Sequence, residues 1–170
     1  MVGTDVSSAQ LSGNWIMRGD AVQCDDALRA QVLMAARQAS LPVKSGKIIS
    51  SPTVIGQAQD KRRLSRLSGA IALDMESSAL GAVAARRGVP FAIVRTVSDL
   101  VDEDLPLDFN MFLRPTGWLN GLQVLLTHPS SLVGLNRLRK QIRMAAERLT
   151  KLFVCYATEG FERNEVMKSS

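Results

Sequence analysis

Residues 69–99 decide the fold: Gly69-Ala70-Ile71-Ala72-Leu73-Asp74-Met75-Glu76-Ser77-Ser78-Ala79-Leu80-Gly81-Ala82-Val83-Ala84-Ala85-Arg86-Arg87-Gly88-Val89-Pro90-Phe91-Ala92-Ile93-Val94-Arg95-Thr96-Val97-Ser98-Asp99. The stretch opens with a short apolar run, 70–74, that turns acidic at its end. An Ala-rich segment with helical spacing follows over 77–87, and Gly88 stands where a helix stops. A second apolar, β-branched run covers 90–97. Strand, helix and strand within 28 residues predict a βαβ unit whose two strands are parallel and buried on both faces. Both runs end in polar residues, Asp74-Met75-Glu76 and Ser98-Asp99. The C-terminal ends of such strands are where open α/β sheets place ligands.

The flanks extend the pattern. Asp25-Asp26 precede an apolar-periodic run and predict an N-capped helix, its acidic start matched to the positive end of the helix dipole. Pro42 and Gly46 punctuate a loop, 47–50 is a short strand, and 53–55 continues it or forms a second one. Residues 60–67 form a short basic helix with Asp60 as its cap. Beyond the acidic loop at Asp102, Glu103 and Asp104, helices are expected over 118–126 and 130–153. The longer one spaces Leu135, Leu138, Ile142, Ala145, Leu149 and Leu152 on one apolar face. The polar start of the chain, 1–20, is expected to be flexible, and 154–170 to be a polar tail, which leaves 21–153 as the domain.

Composition removes several function classes. The chain has 170 residues, 46% of them hydrophobic and 22% charged, which suits one folded domain. It carries no apolar run near the roughly 20 residues of a membrane span. Cys24 and Cys155 are its two cysteines and His128 its one histidine, so no metal-ligand spacing arises and none of the three is read as catalytic. The net charge is +5, concentrated at Arg62, Arg63 and Arg66 and along 137–151. These clusters lack the interleaved aromatics of a nucleic-acid binder, so both are read as solvated helix faces and no nucleic-acid partner is expected.

Taken together, Gly69 to Ser77, Gly88-Val89-Pro90-Phe91 and Arg95-Thr96-Val97-Ser98-Asp99 resemble the nucleoside phosphorylase and nucleosidase superfamily. Its members carry a Met-Glu pair at a strand end, an Ala-rich helix and a second strand ending in Ser-Asp. Here Asp99 lies 23 positions after Glu76, in keeping with that pattern. The resemblance implies a three-layer α/β/α sandwich with a mixed, largely parallel sheet. It implies cleavage of a purine N-ribosyl bond by phosphorolysis or hydrolysis, with Glu76 accepting hydrogen bonds from the ribose hydroxyls and Met75 against the sugar. It gives Asp99 the purine N7 as acid or hydrogen-bond partner, with Ser98 assisting. Residues 46–55 resemble the stretch that sandwiches the base, which places Val54 and Ile55 at the purine, although Ser50-Ser51-Pro52 replaces the commoner Ser-Gly-Asp.

The chemistry of these side chains is consistent with those roles. A carboxylate can accept from two hydroxyls at once, a thioether offers a flexible polarizable surface, and a positioned carboxyl group can protonate a leaving base. Structural readings compete with each role: Met75 as core, Glu76 as a helix N-terminal carboxylate, Asp99 as a turn cap. Arg95 either orients one of the carboxylates or simply pairs with an acidic side chain, and Asp74 is equally open.

A narrower similarity, carried by Lys61, Gly69-Ala70, Asp74-Met75-Glu76-Ser77, Leu105-Pro106 and the run from His128, is to hopanoid-associated phosphorylases. It implies adenosylhopane as substrate, a nucleoside-lipid, with peripheral membrane contact through the 130–153 helix of an otherwise cytoplasmic protein. No metal or organic cofactor is implied; phosphate is the candidate co-substrate, and a homo-oligomer is expected. Nothing in 1–20 resembles the superfamily's glycine-rich start, so the sheet is expected to lack its N-terminal strands and the chain alone to be inactive. The rival readings are a non-catalytic nucleoside-binding module and a basic membrane- or nucleic-acid-binding protein.

Overall fold

The computed structural model describes residues 1–105, 110 and 130–168. Four strands form one mixed sheet in the order β2-β1-β3-β4. They are β1 (Val2–Ser12), β2 (Asn14–Gln23), β3 (Ser45–Ser50) and β4 (Ala72–Asp74). β1 and β2 are an antiparallel hairpin, whereas β1/β3 and β3/β4 pair in parallel. The helices are α1 (Asp26–Gln38), α2 (Ala58–Ser68), α3 (Ser77–Arg87) and α4 (Ser130–Lys168).

Ile48 and Ile49 are adjacent, both fully buried, and face opposite layers. Ile48 joins Val6, Cys24 and Ile93, with Val22 and Phe91 packed against them. α3 covers this side and brings Gly81 close to Phe91 and Val22. Ile49 joins Ala9, Leu64 of α2 and Ala70. Val2 extends that second face into a cluster with Val32, Ala35 and Ala36 of α1 and Leu152 of α4. The architecture is the expected three-layer α/β/α arrangement.

Local signals explain the helix ends. The Asp25 side chain accepts from the Leu28 amide, 2.8 Å away, and caps α1. Gly69 and Gly88 take the left-handed conformation that closes α2 and α3, a conformation glycine adopts without a Cβ penalty.

Several expectations need correction. The N-terminal segment is not flexible: β1 sits inside the sheet with Val2, Val6 and Ala9 buried, so the domain does not begin at residue 21. The register of β1 against β3 shifts between Gly3 and Val6, so these two residues of opposite parity face the same Ile48 layer and the alternation is hidden. The run 90–97 is not the parallel second strand of a βαβ unit. It lies along the start of β1, with an antiparallel bridge between Val2 and Val94, Gly3 N–H donating to Ile93 O and Arg95 N–H to Met1 O. That edge is open because β2 begins to pair only at Asp5.

Residues 53–55 are not a strand. The cap position of α2 is Gln57 rather than Asp60, and Asp104 receives the Ala58 amide at 2.7 Å. Within the expected polar tail, residues 154–168 are the end of α4, which runs to Lys168. On α4, Ala145 and Leu152 are buried but Ile142 is exposed. The helix expected over 118–126 and His128 lie outside the described residues. Among the described residues no helix is long and apolar enough to cross a membrane.

Candidate functional site

The site grows from the end of β4. Asp74 is only 7% exposed, and a carboxylate that deeply placed requires partners. It has four. Ser50 Oγ donates at 2.6 Å, the Ser77 amide at 3.1 Å and Arg95 Nε at 2.8 Å, and the Ser77 hydroxyl also donates to it. Ser50 Oγ in turn accepts from the Ser78 amide at 2.8 Å. Strand end, helix start and the 93–95 segment therefore converge on one carboxylate, and Asp74, left undecided by the sequence, is the hub.

Arg95 carries the hub outward. Its second guanidinium nitrogen donates to Glu76 Oε2 at 3.1 Å and to Ser77 Oγ at 3.1 Å. Glu76 is 61% exposed, so it presents a carboxylate to solvent that is tethered on one side. Met75 is half-buried and lines a cavity of about 420 Å³ with Ser8, Gln10, Arg18, Ser50, Ser51 and Ser78. Four serines, the Gln10 amide and the Arg18 guanidinium make up its polar lining, which among the described residues includes no carboxylate.

Asp99 lies elsewhere. Together with Arg95 and Ser98 it borders a second, largely apolar cavity of about 540 Å³ between the 94–100 segment and α4, walled by Val97, Leu100, Met144 and Leu149 among others. Asp99 Oδ2 is ion-paired with Lys61, and Ser98 Oγ donates to Oδ1 at 3.0 Å. Arg95 is thus the link between the two groups of residues, since it borders the Asp99 cavity and holds Glu76.

The base-side residues divide. Ile55 is buried in the core. Val54 presents its main chain: the N–H donates to Asn110 Oδ1 at 2.8 Å and the carbonyl accepts from Asn110 Nδ2 at 2.7 Å. Neither Asn110, Lys61 nor the Ser50–Asp74 link was picked out as functional from sequence. Each is a contact between residues 24 or more apart, and no local spacing encodes it. No group of His, Cys, Asp and Glu that could hold a metal occurs among the described residues.

A family profile described as the Phosphorylase superfamily matches residues 17–116. The chain belongs to that superfamily. The matched region contains Val54, Ile55, Met75, Glu76, Arg95, Ser98 and Asp99. A similar relative is the 5′-methylthioadenosine/S-adenosylhomocysteine nucleosidase of Staphylococcus aureus, 31% identical over 95 residues, covering 55% of this chain and 42% of the relative. The chain therefore spans less than half the length of the curated relatives it matches.

Among solved structures, the corresponding Neisseria meningitidis nucleosidase in complex with methylthio-immucillin-A aligns with a TM-score of 0.63 at 16% identity, over 93% of this chain and 60% of that one. The Helicobacter pylori nucleosidase with butyl-thio-DADMe-Immucillin-A gives 0.58 at 18% identity, over 89% and 58%. At such identities the likeness establishes the phosphorylase-superfamily fold.

Proposed function

We propose that the protein cleaves the N-ribosyl bond of an adenine nucleoside, with Glu76 on the ribose hydroxyls, Met75 against the sugar and Asp99 at the base. The observation that carries this is Arg95. It holds the exposed Glu76 carboxylate at the end of β4, beside the Met75 cavity, and borders the cavity of Asp99. One oxygen of Glu76 is engaged, which leaves acceptor capacity for a vicinal diol. Ser98 and Lys61 fix the Asp99 carboxylate at the end of its segment, ready to serve N7.

The finer substrate we assign is an adenine nucleoside with an apolar substituent, adenosylhopane in the narrower resemblance. The apolar cavity next to Asp99 supports it. Phosphate and water both remain candidates for the nucleophile, and adenine release with and without phosphate separates them by whether a ribose phosphate forms.

Ribose recognition is open to a direct test by equilibrium binding. Wild type should prefer adenosine over 2′-deoxyadenosine, and Glu76→Gln should reduce that preference about tenfold, the size of a lost charge-assisted hydrogen bond. Equal weakening for both nucleosides would remove Glu76 from ribose recognition. Failure of adenosine and adenine to bind at all would sink the purine reading.

A further inference from the structure

We propose that Lys61 is the positioning residue for Asp99: it touches no ligand and acts by fixing the carboxylate that meets the base. The inference rests on the purine reading above. Lys61 leaves the first turn of α2, and its side chain is 9% exposed. An ammonium group has three donors and no acceptor, and one this deeply placed needs all of them engaged. They are engaged. One goes to Asp99 Oδ2, one to the Glu103 carbonyl at 3.0 Å and one to the Leu100 carbonyl at 3.3 Å. All three acceptors lie within 99–103, so a single helix-borne charge sets the course of the chain just after Asp99. Ser98 Oγ holds the other carboxylate oxygen. Each oxygen retains a lone pair for a ligand donor.

Holding the loop and orienting the carboxylate are separable tasks here. The loop is docked on α2 at other points: Asp104 receives the Ala58 amide at 2.7 Å, the Leu105 amide donates to Gly56 O at 2.9 Å, and Arg62 pairs with Asp102 at 3.1 Å. Those contacts keep 102–105 in place without Lys61. None of them touches Asp99. What Lys61 adds is an opposite charge on one chosen oxygen, which selects a single orientation of the carboxylate. A methionine at position 61 matches the length of the lysine stem and removes the ammonium with its bonds to Asp99 and to the Leu100 and Glu103 carbonyls, while the contacts at 102–105 stay.

Two purine analogues separate the roles. 9-Deazaadenine carries an N–H at the position of purine N7 and a C–H at position 9, and 7-deazaadenine the reverse, so the change in the ratio of their dissociation constants between wild type and a Lys61 variant reports the carboxylate contact, the difference at position 9 being common to both proteins. For the wild-type chain, titration calorimetry should give a preference of about tenfold or more for 9-deazaadenine. In Lys61→Met the preference should collapse to within about threefold, while 7-deazaadenine binds as in wild type; Lys61→Arg should retain part of it. Equal weakening of both analogues would make Lys61 a loop staple and overturn the proposal, as would an unchanged ratio.

A ligand-free measurement runs beside the calorimetry. The Lys61 ammonium should give a slowly exchanging cross-peak in nitrogen-15 spectra, and that peak should shift or vanish in Asp99→Asn. A Lys61 signal indifferent to Asp99→Asn overturns the proposal whatever the purines do. If neither analogue binds wild type, it is the purine reading that falls, and the role of Lys61 falls with it.

Discussion

Replacing Asp74 by alanine tests whether the hub holds the site together. The substitution removes a carboxylate that is 7% exposed and accepts from Ser50, from the Ser77 amide and hydroxyl, and from Arg95. The Ser77 hydroxyl can rotate towards another acceptor, but the Ser77 amide and Arg95 Nε have fixed directions. Removing one partner of a buried ion pair costs about 3–5 kcal/mol. Arg95 is partly exposed and regains some hydration, which moves the expectation to the lower end, about 3 kcal/mol. Against a total stability of roughly 5–15 kcal/mol that is a large fraction. At about 2–4 °C per kcal/mol for a chain of this size, the midpoint should fall by roughly 6–12 °C. Asp74→Asn keeps the volume and one acceptor oxygen but turns an amide towards Arg95 Nε, so about half the loss is expected. Urea unfolding of wild type, Asp74→Ala, Arg95→Met and the double variant closes a cycle whose coupling should reach about 1–3 kcal/mol. A loss under about 1 kcal/mol in Asp74→Ala, or a coupling near zero, would refute the hub.

Two further outcomes follow from packing. A Cβ added to Gly3 would stand 2.9 Å from Ile93 Cβ and 3.2 Å from Ile48 Cγ1, so Gly3→Ala should cost about 1–3 kcal/mol in urea unfolding; a neutral result would mean that β1 and the 93–95 segment are not in contact. Burial pushes the Cys24 thiol above its ordinary range, so at neutral pH it should react with Ellman's reagent far more slowly than Cys155. With the folded pKa raised above the unfolded one, that contribution to stability is fully present below the ordinary thiol pKa and lost as pH rises through the folded value. Equal rates at the two cysteines would place Cys24 at the surface.

What the sequence disclosed followed from how local each signal is. α1 and α3 were readable from Asp25 and Gly88, because a cap and a left-handed stop act within a few residues of the helix they bound. The Asp74-Met75-Glu76 corner was readable because a strand that ends in acidic residues before an Ala-rich helix has few other uses. β1 was missed because its register shift breaks the period-2 pattern and its Ser and Thr residues look like loop. The partner of 90–97 was missed because strand pairing is non-local: the run has the composition of a buried strand but lies along Met1–Gly3 rather than beside β4. The basic face of α2 was read as solvated from charge density alone. Arg63 and Arg66 are exposed as expected, but Lys61 on the same helix turns inward to meet Asp99, and only the tertiary structure distinguishes them.

The bland alternatives for the two key carboxylates can be weighed by asking which acidic residues the scaffold uses. A carboxylate at the start of α3 would ordinarily stabilise the exposed amides and the positive end of the helix dipole. Glu76 occupies the cap position of α3 but makes no cap hydrogen bond. The Ser77 amide is taken by Asp74, and the Ser78 amide by Ser50. The capping work is therefore done from the strand end, by a buried group, and the Glu76 side chain is left with Arg95 as its partner among the described residues and with an exposed face. Asp99 was to be weighed against a turn cap. The caps in its neighbourhood belong to other residues: Asp104 receives the first amide of α2, and Asp99 accepts from side chains, Lys61 and Ser98. Asp25, Asp74 and Asp104 account for the helix starts of α1, α3 and α2. The scaffold thus assigns its capping to three aspartates that are not the candidate ligands, and what remains for Glu76 and Asp99 is two carboxylates held in place by cations, each with acceptor capacity to spare.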